Sequence, residues 1–360
     1  MIYDVTKKFQ FHIELTDKCN ARCPQCSRNV INKETEQLQE RSNLAFSEIT
    51  IDNFKSIFDD FQYQIKRLNF CGNFGDPIFA KDVLEITDYI GSNLLSKHPI
   101  GHLHLHTNGG MRTPHWWKEY GKLLSTYFPN SHMVTFSIDG LEDTHHLYRV
   151  NTRYDRVLEN ALAFIEGGGI AEWSFIIFAH NEHQVEEARK KAVQYKFKSF
   201  IPVYTQRFYG NNYLNYVYNN KKVKIEVAKN EKTNQRQEKA NNWIKHNKSI
   251  INDNKGKISC KAKNRQEVYL DCLGDVYPCC WIGSWNYRRN YLVNTTEKDV
   301  HPIFEMRENR NAIEESLSQI VEDDFFKYTL PASFDINPCN ICVKQCSDAD
   351  VKTIKNRERL

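Results

Sequence analysis

The chain has 360 residues, a net charge of +4 and 11 cysteines, long enough for one large core plus a smaller accessory domain. No run of about 18 apolar residues exists, so no membrane-spanning helix is expected, and Met1-Ile-Tyr-Asp-Val-Thr-Lys-Lys lacks the apolar core of a secretory signal. The odd, clustered cysteines fit metal ligation in a reducing cytoplasm better than a disulfide framework. The mild positive charge sits in Lys/Asn-rich stretches without a recognition motif, so no nucleic-acid partner is expected.

From Phe9 to Tyr204 strand and helix patterns alternate six times. Strand one, Phe9–Leu15, puts Phe11, Ile13 and Leu15 on one face. It ends in Cys19-Asn-Ala-Arg-Cys23-Pro-Gln-Cys26, whose C-x3-C-x2-C spacing can bring three thiolates to one metal centre. A tetrahedral zinc or an ordinary cubane would want a fourth protein ligand, and the next cysteine is Cys71. A structural zinc knuckle is the plainer alternative. Thr50 opens a helix with Ile51, Phe54, Ile57, Phe58 and Phe61 at helical spacing.

Strand two, Ile65–Phe70, feeds the Gly72–Pro77 turn, and a helix follows through about Leu95. Cys71 reads as a small buried hydrophobe. Strand three, Gly101–His106, carries His102, His104 and His106 on one face. They read as pocket lining or polar barrel filling rather than a dedicated metal site. Thr113-Pro114 caps the helix His115–Tyr127. Strand four is Met133–Ile138, and the helix Tyr154–Glu166 stops at Gly167-Gly168-Gly169. Strand five, Trp173–Phe178, the helix Glu182–Tyr195 and strand six, Phe197–Tyr204, complete the series. Such units imply a parallel sheet wrapped by helices, with chemistry at the strand ends. Those ends hold the three cysteines, Gly72–Pro77, Thr107-Asn108-Gly109 and Ser137-Ile-Asp139-Gly140.

Beyond Tyr204, Asn211–Lys257 is rich in Asn and Lys with scattered Tyr213, Val217, Ile225, Trp243 and Ile244. It reads as a partly helical bridge, serving as a lid or a partner surface. Cys260 then precedes a hairpin pattern, Glu267–Asp271, a turn at Leu273-Gly274-Asp275, and Val276-Tyr-Pro-Cys279-Cys280-Trp281. Cys339-Asn-Ile-Cys342-Val-Lys-Gln-Cys346 follows. A hairpin thiolate, one just before it and a distant C-x2-C pair suit a four-cysteine site, for which zinc and an iron–sulfur cluster are both open.

The C-x3-C-x2-C segment resembles the signature of the radical S-adenosylmethionine (SAM) superfamily. That resemblance implies a [4Fe–4S] cluster on Cys19, Cys23 and Cys26 whose open iron is chelated by SAM. Gln25 stands where members usually carry an aromatic beside the adenine, a role that is mostly backbone-mediated. Gly75-Asp76-Pro77 resembles the family's Gly-Gly-Glu-Pro element, which holds the SAM ammonium. Aspartate replaces glutamate there, so carbonyl groups would carry more of that contact. Asn108, Ser137 and Asp139 fall in segments resembling those that line the SAM pocket. His145-His146-Leu-Tyr148-Arg149 resembles a stretch whose arginine pairs with the SAM carboxylate, with a surface ion pair as the alternative.

The C-terminal cysteines are similar in order to the twitch form of the SPASM extension. The likeness implies one auxiliary [4Fe–4S] cluster on Cys260, Cys279, Cys339 and Cys342, any of which Cys272, Cys280 or Cys346 could displace. The expected architecture is therefore α/β: a partial (β/α)6 TIM-like barrel over 1–210, a polar bridge over 211–257, and a small cysteine-rich α+β domain over 258–360. The implied activity is reductive cleavage of SAM to a 5′-deoxyadenosyl radical and hydrogen abstraction, for oxidative modification of a peptide or protein. Dehydrogenation of a small hydroxylated metabolite is the alternative, and a non-enzymatic iron–sulfur or zinc scaffold is the reading from another class. A flavodoxin- or ferredoxin-type electron donor is implied. Strand one begins almost at once, so a peptide substrate is expected to use a separate carrier protein or to dock directly.

Overall fold

The computed structural model describes residues 1–205, 207–208, 211–235, 238, 241–242, 245–246, 253, 256–289 and 310–347. In chain order the elements are β1 (Phe9–Ile13), β2 (Asn29–Ile31), β3 (Leu38–Glu40), α1 (Ile51–Asp59), β4 (Ile65–Phe70), α2 (Val83–Tyr89), α3 (Leu95–Lys97), β5 (Leu103–Thr107), α4 (Pro114–Tyr127) and β6 (His132–Ser137). There follow α5 (His145–Tyr148), α6 (Tyr154–Glu166), β7 (Ala171–Ile177), α7 (Val185–Gln194), β8 (Ser199–Tyr204), β9 (Tyr213–Tyr218), β10 (Lys221–Glu226), β11 (Glu267–Leu270) and β12 (Val276–Tyr277), with short helices near the C-terminal cysteines. Six of these strands, β1 and β4 to β8, are the six expected from the alternating pattern. Their ends move by no more than two residues. The fold is a mostly parallel sheet with helices, the partial (β/α)6 barrel.

The described residues divide into two compact units, Met1–Lys18 with Asn43–Leu103 and those from His246 onward, and Cys19–Ser42 with those from His104 to Lys245. In the first unit the strand order is β12-β11-β1-β4. β1 runs parallel to both neighbours, and β11 meets it with Gln10 opposite Glu267 and Ile13 opposite Leu270. The expected C-terminal hairpin is thus a sheet extension as well as a carrier of cysteines. Phe9 and Phe11 leave β1 on one face and meet Phe61 edge-on at 5.4 and 5.2 Å. Such aromatic pairs each add about 0.5–1.5 kcal/mol beyond burial. Thr50 caps α1 by accepting from the Asn53 amide, as its sequence position implies.

In the second unit the order is β5-β6-β7-β8. Trp117 of α4, Phe164 of α6 and Phe136 of β6 form its fully buried centre. Gly121 lets α4 and α6 touch, because a Cβ there would lie 2.3 Å from the Phe164 carbonyl oxygen. β2 and β3 pair as a small hairpin directly after the three-cysteine loop. The stretch expected as a partly helical bridge opens with the β9–β10 hairpin, turned by Asn219 and Asn220 at φ of 49° and 60°, and is helical over 231–235. Asparagine tolerates that left-handed backbone, which a two-residue hairpin turn requires. Trp243 and Ile244 lie outside the described residues.

Candidate active site

β1 runs into the loop that carries Cys19, Cys23 and Cys26, and the second unit holds this loop from several sides. The Asn29 side chain donates to the Cys23 carbonyl (3.0 Å), and the Arg22 amide donates to the Val150 carbonyl (2.9 Å). Asn151 donates to the Asn20 carbonyl at 2.7 Å. Arg28, 2% exposed, pairs with Glu40 of β3, which also receives Arg22. One carboxylate therefore bridges two guanidinium groups beside the cysteine loop, leaving one positive charge uncompensated within the triad. Cys23 is buried, Cys19 and Cys26 are half-buried, and all three lie outside any disulfide. Burial pushes the Cys23 thiol up to about 11, against the pull of Arg149.

Two of the sulfurs face donors. Cys19 Sγ accepts from the Ala21 amide at 3.4 Å and lies 3.5 Å from Asn108 Nδ2, and Arg149 Nη1 points at Cys23 Sγ from 3.7 Å. Donors aimed at sulfur stabilise thiolate, the form that ligates iron, so these residues fit an iron–sulfur cluster. Arg149 also gives its Nε to Asp139 at 2.6 Å, and the Asp139 side chain has no exposure. The other Asp139 oxygen accepts the Ile176 amide. The two form a salt bridge, in which burial raises the Asp139 carboxyl while Arg149 and that amide pull against the rise. The arginine expected at the SAM carboxylate thus has its Nε committed to Asp139.

Asn108 accepts the Gly110 amide and donates to Asn20. Ser137 ends β6 opposite Ser174 of β7. Gln25 exchanges hydrogen bonds with Arg207, while its Oε1 is buried and unpartnered. His104 joins a row across the strands in which Thr135 bonds His104 at 2.7 Å and Glu172 at 3.0 Å, and Ser199 donates to Glu172. His106 lies against His104, ring centroids 4.2 Å apart. This is polar filling of the sheet.

The Gly72–Pro77 loop belongs to the first unit. The Asp76 side chain caps the short turn Pro77–Phe79 by accepting from Ile78, and its amide donates to the Lys18 carbonyl at 2.9 Å. A Cβ on Gly75 would lie 1.7 Å from the Thr16 carbonyl oxygen, so only glycine fits. Two residues that the pattern analysis passed over hold this loop. Glu14 Oε1 accepts the amides of Phe74 (2.6 Å) and Gly75 (2.9 Å), and Tyr269 of β11 donates its hydroxyl to Glu14 Oε2. The available signal was Glu14 sharing a strand face with Gln10 and His12 in a strand buried on both sides.

Among the C-terminal cysteines, Cys342 interacts electrostatically with Cys339, Cys279 and Cys260, and Cys260 with Cys346. A hydrogen bond within the Cys339–Cys342 pair lowers the Cys339 thiol and raises Cys342. Cys280 interacts electrostatically with Cys71, Glu267 and Glu14 as well as with Cys279, and Cys272 is buried in the β11–β12 turn. Among the described residues no group of three or more His, Cys, Asp or Glu side chains is close enough to hold a single metal ion.

The family model described as the Radical SAM superfamily matches residues 13–192. No curated protein sequence matches the chain. Among solved structures, Streptococcus suis SuiB bound to precursor peptide SuiA is similar at 14% identity and a TM-score of 0.51, over 89% of this chain and 66% of SuiB. Native anSMEcpe with bound AdoMet and the Cp18Cys peptide is similar at 15% identity and a TM-score of 0.53, over 94% of this chain and 89% of that one. The chain thus spans just under two thirds of the length of SuiB. At these identities the likeness is one of fold.

Proposed function

Given that the chain belongs to the radical SAM superfamily, we propose that it is a SAM-cleaving enzyme that oxidatively modifies a peptide or protein. The observation that carries the reading is one loop with three cysteines, in which the Cys19 sulfur meets an amide and a carboxamide and the Cys23 sulfur a guanidinium. Cys19, Cys23 and Cys26 would hold a [4Fe–4S] cluster. When bound, that cluster supplies the electron that splits SAM into methionine and a 5′-deoxyadenosyl radical able to take a hydrogen atom from substrate.

The chain's own residues bind and orient. Asn108 and Arg149 hold charge at the cysteine sulfurs, and Gly75, Asp76, Ser137, Asp139 and Gln25 are assigned to the SAM pocket. Asp139 acts there through Arg149, because its carboxylate is already occupied. The Asp76 side chain is spent on its helical turn, so backbone carbonyls of the loop are assigned to the SAM ammonium. Cys260, Cys279, Cys339 and Cys342 are assigned to an auxiliary [4Fe–4S] cluster, an assignment supported by the interaction of Cys342 with the other three. The division into a barrel over 1–210, a bridge over 211–257 and a cluster domain over 258–360 belongs to the same proposal.

A peptide substrate is supported by solved structures of similar fold that carry SuiA and the Cp18Cys peptide. A flavodoxin- or ferredoxin-type donor and a cytoplasmic location complete the reading. Among the described residues no helix is long and apolar enough to cross a membrane. The test is anaerobic reconstitution with iron, sulfide, dithionite and SAM. Formation of 5′-deoxyadenosine is expected, and its absence with and without candidate peptides would favour a non-catalytic scaffold.

A further inference from the structure

The carboxylate of Glu14 is 1% exposed and both its oxygens are used. Oε1 takes the amides of Phe74 and Gly75, and Oε2 takes the Tyr269 hydroxyl. The Asn73 side chain closes the circuit, donating to the Tyr269 oxygen at 3.0 Å and to the Cys280 carbonyl at 3.1 Å. Three consecutive loop residues are thereby tied to one carboxylate and one phenol.

This circuit fixes peptide planes as well as side chains. In a planar trans peptide the carbonyl points opposite to the amide N–H that follows it. With the amides of Phe74 and Gly75 both drawn to Glu14, the carbonyls of Asn73 and Phe74 point away from it. Two carbonyl oxygens on one side of a loop are acceptors suited to a primary ammonium, which brings three donors and no acceptor. Gly75 packs its backbone against Thr16, where a Cβ would lie 1.7 Å from the carbonyl oxygen.

We propose that Glu14, clamped by Tyr269, is a positioning residue that aims the Asn73 and Phe74 carbonyls at the ammonium group of SAM. The inference rests on the SAM-binding role proposed for the Gly72–Pro77 loop and adds the device that shapes it. It also gives β11, which lies far along the chain, a share in cofactor affinity. Tyr269 is the contact through which that share is exerted.

The test uses reconstituted full-length holoenzyme and measures equilibrium binding of SAM and of its deamino analogue under anaerobic conditions. Glu14→Ala should weaken SAM binding at least about tenfold and Tyr269→Phe about three- to tenfold, in line with the loss of several or one buried hydrogen bond. Glu14→Gln should fall between wild type and Glu14→Ala, because the amide oxygen still accepts both N–H groups while the Tyr269 hydroxyl loses its acceptor. The deamino analogue should bind all four proteins alike. A penalty of equal size on both ligands would mark a merely structural role and overturn the proposal, as would wild-type SAM affinity in Glu14→Ala. Should that variant fail to fold, Tyr269→Phe with the same ligand pair decides. Wild-type protein that loads iron but binds no SAM would overturn the functional reading together with this one, whereas ligand-independent penalties overturn this one alone.

Discussion

Arg149 Nη1 lies 3.7 Å from the Cys23 sulfur, with Nε of the same guanidinium held 2.6 Å from Asp139. Removing either member of the Asp139–Arg149 pair strands the other, and such a loss typically costs about 3–5 kcal/mol. Asp139→Ala and Arg149→Met should each show that loss in urea unfolding, and Asp139→Asn with Arg149→Met should recover most of it. In the double variant Cys23 has also lost a cationic neighbour. The cluster's midpoint potential should then fall by tens of millivolts, where about 59 mV is tenfold in a one-electron couple. An unchanged potential would mean that Arg149 serves only Asp139.

Iron content separates the two cysteine groups. In the Cys19, Cys23 and Cys26 triple alanine variant, about four irons per chain should remain if the C-terminal thiols hold their own cubane. Zinc in their place, measured by elemental analysis, would assign that group a structural metal instead. Cys280→Ser should leave the count unchanged if Cys260, Cys279, Cys339 and Cys342 are the ligands, and a loss of iron would put Cys280, which interacts with Cys279, in their place.

Glu14 also predicts a pH dependence of stability. Burial raises its carboxyl from 4.5 to about 7, against the donors Tyr269, Gly75 and Phe74, and with Asp17 adding to the rise. Asp271 and Cys280 interact with it electrostatically as well. A raised acid binds its proton more tightly folded than unfolded, so its contribution is complete below about pH 4.5 and is lost as pH climbs to about 7. The loss is on the order of 3 kcal/mol. Urea unfolding of wild type against Glu14→Gln across that window should show a falling difference, and parallel curves would refute it.

The barrel was legible because each strand and helix declares itself locally. The period-2 run of Phe9, Phe11 and Ile13, the Thr50 cap and the Gly167 stop are short-range signals, and they place the three cysteines at a strand end. The neighbours that give those positions their chemistry were not legible. Asp139 and Arg149 are close in sequence, yet nothing local says that they pair with each other. Tyr269 reaches Glu14 across 255 positions, a contact that only the parallel β1–β11 register creates. The β9–β10 hairpin is a different case. Asn219-Asn220 between alternating residues is a readable turn signal, and the Lys/Asn-rich composition around it hid the pattern.

That hairpin carries the last prediction. Tyr216, 1% exposed, packs in one apolar cluster with Cys23, Tyr148 and Phe178, against which Cys19 and Cys26 also rest. Its hydroxyl donates to the Leu147 carbonyl at 2.6 Å, two residues before Arg149. The ring therefore covers the cysteine loop while its hydroxyl holds the segment that delivers Arg149. Tyr216→Phe keeps the cover and leaves one carbonyl unpaired, for about 1–3 kcal/mol. Tyr216→Ala opens a cavity beside the sulfurs, for about 3–5 kcal/mol. If the hairpin keeps solvent and oxygen from the cluster, visible absorbance of reconstituted protein should bleach in air several times faster in the alanine variant, with the phenylalanine variant close to wild type. Equal bleaching in all three, with iron fully loaded at the start, would show that the cover is not made by this residue.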